Sequence, residues 1–490
     1  MSTSCRSHRR RRLMTSLDDK APRSSGTRIQ PQIQRVPEDG DWGMSNWLKR
    51  RASSRGSAAT GVTDQPTKGE GMSLWKVTNA FNYKSVVLTL LMPQLTAGTA
   101  DGPAAAPHVA QRPFRHTTEQ KTQILAWVDA INRNATWKAQ YNPNAVLVYF
   151  MDVLNNKSVY MPQDVLDQWN RVNVALAREA NDSEAYCSAN AYHSVNVSSS
   201  FDARSHWRSD CPAIDEVTDQ GGCGNCFVNG LLKTMSDRIC ITTRGRSRVH
   251  LSVQDLTECC RCGFGTNGCM GGYVGVAIDY LTKHGVVTGR AVDSSDPTTY
   301  TNDDGCKPTT IPRGCGSPCP YTHHYFRPLQ CERRCTNPSY RGGYNDTAER
   351  YFLREGYANL TICSEGQSMT ERHALIMKEI QLNGPVVLLY GVLVDLQLYK
   401  EGVYKPSEFA KQRGKLYSHV SSIVGWGEDE HNKWWIVANT WGQDFGENGF
   451  FRWWRDAEDE DDLVNGSIGL YGFKPDCDDS PNGCPKLNRP

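Results

Sequence analysis

The spacing of apolar and polar positions divides this chain into stretches of different character. Residues 1–80 are rich in Arg, Ser, Gly, Thr and Gln and show no sustained apolar period, which predicts a disordered basic extension. Between residues 117 and 180 apolar side chains recur at helical spacing. One predicted helix face consists of Ile124, Leu125, Val128 and Ile131. The apolar, β-rich runs 420–426 and 434–438 predict two neighbouring buried strands.

A short apolar run at residues 84–92 follows a basic residue and precedes small residues at 96–100. It is too short to span a bilayer comfortably and is typical of a signal-peptide core. Because a signal normally begins at the N-terminus, either translation starts at Met72 or residues 81–100 form a recessed signal or anchor. A buried strand is the alternative. Membrane contact is expected only through residues 84–100, and only if they stay uncleaved.

The charge and cysteine content narrow the class of protein. The net charge of +2 gives no reason to expect nucleic-acid binding, and the basic run 9–12 is read as a solvated tail rather than an anionic-ligand patch. Eighteen cysteines, almost all after residue 186, favour an oxidising compartment on the secretory route. Glycosylation sequons, which support the same route, begin at Asn134, Asn156, Asn181, Asn196, Asn345, Asn359 and Asn465.

Residues 219–227 form the stretch that carries the candidate chemistry. Glycines surround two cysteines, and Cys226 leads into an apolar run that predicts a helix. A thiol at a helix start has its pKa lowered by unpaired backbone N–H groups, which favours the nucleophilic thiolate. Gln220 has a side-chain N–H that suits an oxyanion forming beside the sulfur. Cys226 is therefore the candidate nucleophile.

A thiolate nucleophile needs a base and a group that orients the base. His419 and Asn439 stand beside the two predicted strands and supply these residue types. Each candidate also has an ordinary structural reading, in which the cysteine is half a disulfide, the histidine packs beside a strand and the asparagine makes a turn. Their occurrence together favours a catalytic set, and this chemistry uses no cofactor or metal.

The segment Cys223-Gly224-Asn225-Cys226-Phe227 resembles the signature of papain and the cathepsins, with Asn225 and Phe227 as departures. The resemblance implies a Cys/His/Asn triad and an α+β, papain-like fold with two subdomains, a helical half and a β-barrel-like half, and an active-site cleft between them. It also implies that Gly271 and Gly272 pair with an extended substrate.

In the same family a tryptophan shields the histidine–asparagine hydrogen bond, a role that falls on Trp441; a structural core tryptophan is the alternative. Residues 127–139 resemble a cathepsin B propeptide, and matches to cathepsin B run from about residue 200 to 475. The implied organisation is a propeptide at 101–197, a peptidase domain at 198–476 and a tail at 477–490. The long spacing from Cys226 to His419, beyond the roughly 130–150 residues of papain, implies an insertion at about 293–367.

The insertion resembles the occluding loop of cathepsin B, in which a histidine pair binds a substrate's C-terminal carboxylate. The pair here is His323 and His324, which implies dipeptidyl carboxypeptidase activity. A purely structural loop and a zinc site are the alternatives, although the spacing fits no standard zinc finger. The resemblance also implies four disulfides: Cys211–Cys240, Cys223–Cys269, Cys259–Cys331 and Cys306–Cys335. Cys363 is then the candidate unpaired cysteine, and Cys477 with Cys484 would close the tail.

These observations predict a cysteine peptidase, made as a zymogen, in a lysosome-like or vacuole-like acidic compartment or secreted. It is expected to be a monomer that acts on peptide or protein substrates, with its own propeptide as inhibitor. It would be an endopeptidase with possible dipeptidyl carboxypeptidase activity. The alternative is a papain-like pseudoprotease that binds peptides or partners without cleaving them.

Overall fold

The computed structural model describes residues 116–147, 179, 182–188, 192, 195–263, 268–269, 271–293, 296–319, 329–345, 349–364, 366–455 and 467–477. The predicted extension 1–80, the apolar segment 81–100 and the pair His323 and His324 lie outside these ranges. No helix in the described part of the chain has the length and apolar character needed to cross a membrane.

Side-chain caps mark the start of some of the helices. Besides a helical run at residues 182–188, the helices in chain order are α1 (Thr118–Asn134), α2 (Ala203–Trp207), α3 (Cys226–Thr242), α4 (Val253–Cys259), α5 (Val274–His284), α6 (Leu360–Cys363), α7 (Met369–Asn383) and α8 (Glu408–Arg413). A capping box between Thr117 and Gln120 starts α1. Ile124, Val128 and Ile131 are buried as predicted, but the inclusion of Leu125 was wrong, since it is 42% exposed.

The strands form one sheet with a short side branch. They are β1 (Trp137–Ala139), β2 (Phe201–Asp202), β3 (Leu353–Asn359), β4 (Val386–Val392), β5 (Tyr399–Tyr404), β6 (Tyr417–Glu428), β7 (Lys433–Ala438), β8 (Phe450–Trp454) and β9 (Ser467–Pro475). Their order is β1-β5-β8-β7-β6-β4-β9-β3, with β2 paired to β6. The two predicted strands are confirmed as the antiparallel neighbours β6 and β7.

Two apolar cores support the two halves of the molecule. In the helical half, α3 buries Phe227 and Leu231 in one cluster with residues of α4, α5 and the adjoining sheet face. In the other half, the aromatic side chains of Trp137, Trp426 and Trp435 belong to a second cluster on the sheet. Because α3 packs against β6, the start of the helix lies close to the beginning of that strand.

The disulfides agree with the predicted pairs and add three more. Cys211–Cys240, Cys223–Cys269, Cys259–Cys331 and Cys306–Cys335 are confirmed. The additional pairs are Cys187–Cys363, Cys260–Cys262 and Cys315–Cys319. The prediction that Cys363 is unpaired was wrong, because its partner lies before the predicted start of the peptidase domain. Cys477 is disulfide-bonded, whereas Cys484 lies outside the described residues.

The last part of the predicted insertion belongs to the main architecture. Strand β3 pairs with β9 at the edge of the sheet, and α6 follows it. The earlier part is held by its disulfides and by Lys307, whose buried ammonium lies 2.6 Å from a carboxylate oxygen of Glu258. The insertion is therefore anchored to α4 at its base.

Candidate active site

Cys226 is the first residue of α3, and the side chain of the preceding residue, Asn225, is buried in the core. Asn225 donates from its amide to the Thr257 hydroxyl at 2.9 Å and accepts from the amide of Asn229 at 2.9 Å. Its side chain therefore makes no capping bond to the helix. The backbone N–H groups of Cys226, Phe227 and Val420 bond toward the thiol.

Burial favours the neutral thiol of Cys226 over the thiolate in this structure. Cys226 is 8% exposed and is the only free cysteine among the described residues. Burial raises the pKa of the Cys226 thiol to about 11, although backbone N–H groups act in the opposite direction. The expected lowering of this pKa was wrong for the covered cleft, because loss of solvation outweighs the helix end.

His419 lies in β6, and Asn439 follows β7. The His419 Nε2 lies 2.8 Å from the Asn439 Oδ1. The backbone N–H of Thr440 and the hydroxyl of Ser421 donate to the same oxygen, which identifies it as the acceptor. His419 therefore donates from Nε2 and keeps Nδ1 as its acceptor nitrogen. Burial lowers the pKa of His419 to about 4, partly offset by the Asn439 bond.

Trp441 and Thr440 complete the surroundings of the imidazole. The Trp441 ring lies 4.7 Å from the His419 ring, centroid to centroid, and is 2% exposed. The Thr440 hydroxyl donates to the Gln220 Oε1 at 2.7 Å. Gln220 donates in turn from Nε2 to the Cys223 carbonyl at 3.0 Å, which fixes the plane of its amide. The second N–H of that amide is available to a group in the cleft.

The two candidate substrate-pairing glycines have different environments. Gly271 has a φ of +86° and donates its N–H to the Gly224 carbonyl at 2.9 Å. A Cβ on Gly272 would lie 2.4 Å from the Phe227 ring, so close packing requires glycine there. Phe227, like Asn225, is thus accommodated in the core.

A cavity of about 160 Å³ collects most of the predicted residues. Its lining includes Gln220, Cys226, Gly271, His419 and Trp441, together with Pro318 and Cys319 of the insertion. Asn439 lies behind His419, and Gly272 lies against Phe227. No cluster of metal-ligating side chains occurs in the part of the chain that the structure describes.

The segment of residues 116–147, which we call the cleft segment, covers this cavity. Its strand β1 pairs with β5, and Val146 lines the cavity beside Cys226 and His419. The Val146 N–H donates to the Gln397 Oε1 at 2.9 Å, and the Gln397 amide donates to the Val146 carbonyl at 3.0 Å. An uncharged residue of the chain itself, Val146, thus covers the cleft beside Cys226 and His419.

Sequence reasoning missed Thr440 and Gln397. Thr440 connects Gln220 to the imidazole, and its position between Asn439 and Trp441 was a usable signal. Gln397 had no such signal, because its contact with Val146 exists only once two distant parts of the chain meet.

Comparisons with known proteins place the chain among cysteine proteases. Residues 197–467 match the papain family cysteine protease domain. Cathepsin B-like cysteine proteinase 6 of Caenorhabditis elegans is 32% identical over 340 residues, which is 68% of this chain and 78% of that protein. The cathepsin B-like cysteine proteinase of Schistosoma japonicum is 32% identical over 293 residues, covering 56% of this chain and 75% of the relative. The structure of proCathepsin B S9 from Trypanosoma congolense matches 71% of this chain and 97% of its own, with 23% identity and a TM-score of 0.47.

A buried thiol at a helix start, beside an imidazole–amide pair in a cleft between helix and sheet, is the arrangement of a thiol peptidase. The chain belongs to the papain family of cysteine proteases. It has the papain-like α+β fold, is cathepsin B-like in sequence and is made as a proenzyme that acts on peptide or protein substrates.

Proposed function

We propose that Cys226 is the nucleophile and His419 the general base and acid of peptide-bond hydrolysis. The observation that carries this proposal is that both side chains line one cavity together with Gln220. His419 donates from Nε2 to Asn439, so Nδ1 takes the proton of the thiol. The sulfur then attacks the scissile carbonyl, and the imidazolium returns the proton to the leaving amine. Water releases the acyl group from Cys226 and regenerates the thiol.

Asn439 and Trp441 act on the imidazole. Asn439 fixes the ring and its tautomer through the 2.8 Å bond, and Trp441 covers that bond with its indole. Gln220 and the Cys226 backbone N–H would hold the oxyanion. Gly271 and Gly272 would pair with the substrate backbone, since the Gly271 position already lies on the cavity wall.

A pseudoprotease is not favoured. The sequence argument for it was that Asn225 and Phe227 depart from the family signature. Both side chains are buried away from the cavity, where they bond to Thr257 and pack on Gly272. The two replacements therefore change the packing around the start of α3. They do not displace Cys226, His419 or Gln220 from the cavity lining.

Gln220→Ala tests the oxyanion role within an assay of the proposed activity. The acid-activated chain should hydrolyse a fluorogenic peptide, and a thiol-directed epoxide should abolish that hydrolysis. Gln220→Ala should lower kcat by roughly 10²–10³, because one donor to the developing charge is removed. Gln412→Ala, an exposed amide on α8, is the matched control and should leave kcat unchanged. An unchanged kcat in Gln220→Ala would contradict the assignment.

We further propose a dipeptidyl carboxypeptidase mode that uses His323 and His324. Both lie outside the described residues, but Pro318 and Cys319, shortly before them, line the cavity. A cationic imidazole pair there would bind the terminal carboxylate of a substrate that ends two residues past the cut.

The double variant His323→Ala/His324→Ala should lose carboxydipeptidase activity and keep or gain cleavage of internal bonds. The wild-type exopeptidase activity should fade above about pH 6.5, where an unperturbed imidazole loses its charge. Paired assays on a free-acid and an amidated peptide measure both modes, with exposed His431→Ala as the control. No change in either mode would show that the pair does not contact substrate.

The remaining cellular statements are also proposals. Residues 101–197 act as the inhibitory prosegment, and a monomeric enzyme works in an acidic lysosome-like or vacuole-like compartment or after secretion. Among the sequons, Asn134, Asn196 and Asn345 are exposed, which supports glycosylation there. Asn359 is 5% exposed and caps α6 with its side chain, so it does not support a glycan in this fold.

A further inference from the structure

A disulfide crosses the predicted boundary between prosegment and peptidase. Cys187 lies before the predicted mature start at residues 198–201, yet it is bonded to Cys363 at the end of α6. We call the part of the chain made of Glu179, residues 182–188 and Tyr192 the tethered segment. It is separate from the cleft segment and contacts α6, α7 and Tyr273 at the start of α5.

Two tyrosines of the tethered segment complete a buried ion pair. Arg238 and Glu379 are both fully buried, with 2.8 Å between the guanidinium and the carboxylate. The Tyr186 hydroxyl donates to one oxygen of Glu379 at 3.0 Å, and the Tyr192 hydroxyl donates to the other at 2.6 Å. Both tyrosines are less than one-tenth exposed. Removing them would take hydrogen bonds from a buried charge, which is costly.

Glu179 and Ser183 make a second set of buried contacts. Glu179 accepts hydrogen bonds from the Tyr273 hydroxyl at 2.5 Å and from the Asn359 amide at 3.0 Å. The Ser183 hydroxyl accepts from the Asn359 backbone N–H at 2.9 Å. Tyr273 directly follows the two candidate substrate-pairing glycines. The tethered segment thus supports a wall of the peptidase itself.

The number of cysteines also favours treating the tethered segment as part of the peptidase. With Cys5, Cys187 and Cys226 set aside, fifteen cysteines remain, which is an odd number. A peptidase that starts near residue 198 would therefore carry one unmatched cysteine besides Cys226. Including Cys187 makes the number even and gives Cys363 its observed partner.

We propose that the tethered segment is a permanent part of the active peptidase, held by the Cys187–Cys363 disulfide, and that activation removes only the chain before it. The inference rests on the proposed proenzyme function. The cut that frees the cleft segment lies N-terminal to Glu179. A second cut at the exposed residues 198–200 would produce a two-chain enzyme without releasing the tethered segment.

Acid activation is compatible with this retention. Burial raises the pKa of Glu179, while hydrogen bonds from Tyr273, Asn359 and Tyr471 act in the opposite direction and Asp279 adds to the rise. The pKa of Glu179 is higher in the buried contact than in a solvated carboxyl group, so the contact gains stability as the pH falls. Acid that opens the cleft therefore does not loosen Glu179.

The test is mass spectrometry and N-terminal sequencing of the processed protein, without reference to its activity. Two processed samples are compared. One is the full-length chain carrying Cys226→Ser after limited digestion with trypsin, and the other is the wild-type chain after acid activation. Under denaturing, non-reducing conditions the peptide containing Cys187 should stay with the chain containing Cys363. If a cut has occurred near residue 198, reduction should release that peptide. A product that begins at or after Ser198 and lacks the Cys187 peptide before reduction would overturn the proposal.

Two variants separate the covalent anchor from the buried contacts. In Cys187→Ala/Cys363→Ala the peptide should separate under denaturing conditions without reductant. In Tyr186→Phe/Tyr192→Phe the disulfide remains, and the Tm of the processed enzyme should fall by about 5 °C or more because Glu379 loses two donors. An unchanged Tm would show that these contacts do not stabilise the processed enzyme. Loss of peptidase activity with the peptide still attached would count against the proposed function only.

Discussion

Replacing Cys226 by Ser should abolish turnover while leaving the fold intact. Cys226 is the first residue of α3, and the variant replaces only its sulfur atom by oxygen. The packing around the side chain should therefore change little. A hydroxyl is far less ionised than a thiol, and the group bonded to His419 is the neutral amide of Asn439 rather than a carboxylate that would strengthen it as a base. We expect kcat/KM for a fluorogenic peptide to fall by roughly 10⁴ or more.

Labelling and binding make this expectation specific. A thiol-directed epoxide should modify Cys226 in the activated wild type and leave the Ser variant unmodified, as located by peptide mass spectrometry. The Ser variant should bind a substrate peptide with unchanged affinity and unfold at the same temperature. Residual activity within tenfold of wild type, at equal folded fraction, would contradict Cys226 as the nucleophile.

The candidate catalytic residues could be picked out from the sequence because each sits in a short local pattern. Cys226 follows a glycine-rich turn and opens an apolar helix, and these features are visible without the fold. His419 and Asn439 lie beside runs whose β-rich, apolar character correctly predicted β6 and β7. Antiparallel pairing of those strands then brings the two side chains within 2.8 Å.

The electrostatics of the site were not predictable in the same way. A helix start alone favours a thiolate, and the sequence gives no measure of burial. The pKa rise of Cys226 depends on the closed cavity, whose covering residue Val146 lies in another segment. Likewise, Leu125 fits the helical pattern but lies at the edge of the buried face of α1, where the core ends.

Disulfide pairing shows the same limit. The four pairs implied by the family resemblance were right because they lie within the matching peptidase sequence. Cys187 and Cys363 are 176 residues apart and belong to parts that the resemblance treats separately. The odd number of cysteines in the peptidase sequence indicates that one of them lacks a partner there. Only the structure, in which Tyr186 and Ser183 pack against α6 and α7, shows that the partner of Cys363 is Cys187.

Weakening the cleft segment should move activation of the precursor to higher pH. The Asn142 amide donates to the carbonyls of Ser317 and Gln397, each at 2.8 Å. Two such bonds contribute about 1–3 kcal/mol net. Asn142→Ala should therefore raise the population with an open cleft by a factor on the order of 5–150. Gln123→Ala, an exposed amide on α1 of the same segment, is the matched control.

The direction of the pH effect follows from His419. The covered cleft lowers its pKa to about 4, so the covered state keeps its full stability above the ordinary histidine value of 6.5 and loses it as the pH falls toward 4. Cys226, Tyr390 and Tyr417 face the imidazole and stay uncharged throughout this window, because burial raises the pKa of each. The contacts that Asn142 and Val146 make with Gln397 are uncharged. We therefore expect protonation of His419 to favour the open cleft.

We expect the wild-type precursor to gain activity with a midpoint between about pH 4 and 6.5, and Asn142→Ala to raise that midpoint by about one unit. The measurement is the initial rate on a fluorogenic peptide directly after a pH jump, with gels confirming that the precursor is still intact. If the midpoint were the same in wild type, Asn142→Ala and Gln123→Ala, the Asn142 bonds would not hold the cleft closed. A midpoint well below pH 4 would show that carboxyl groups outside the cleft, and not His419, control the opening.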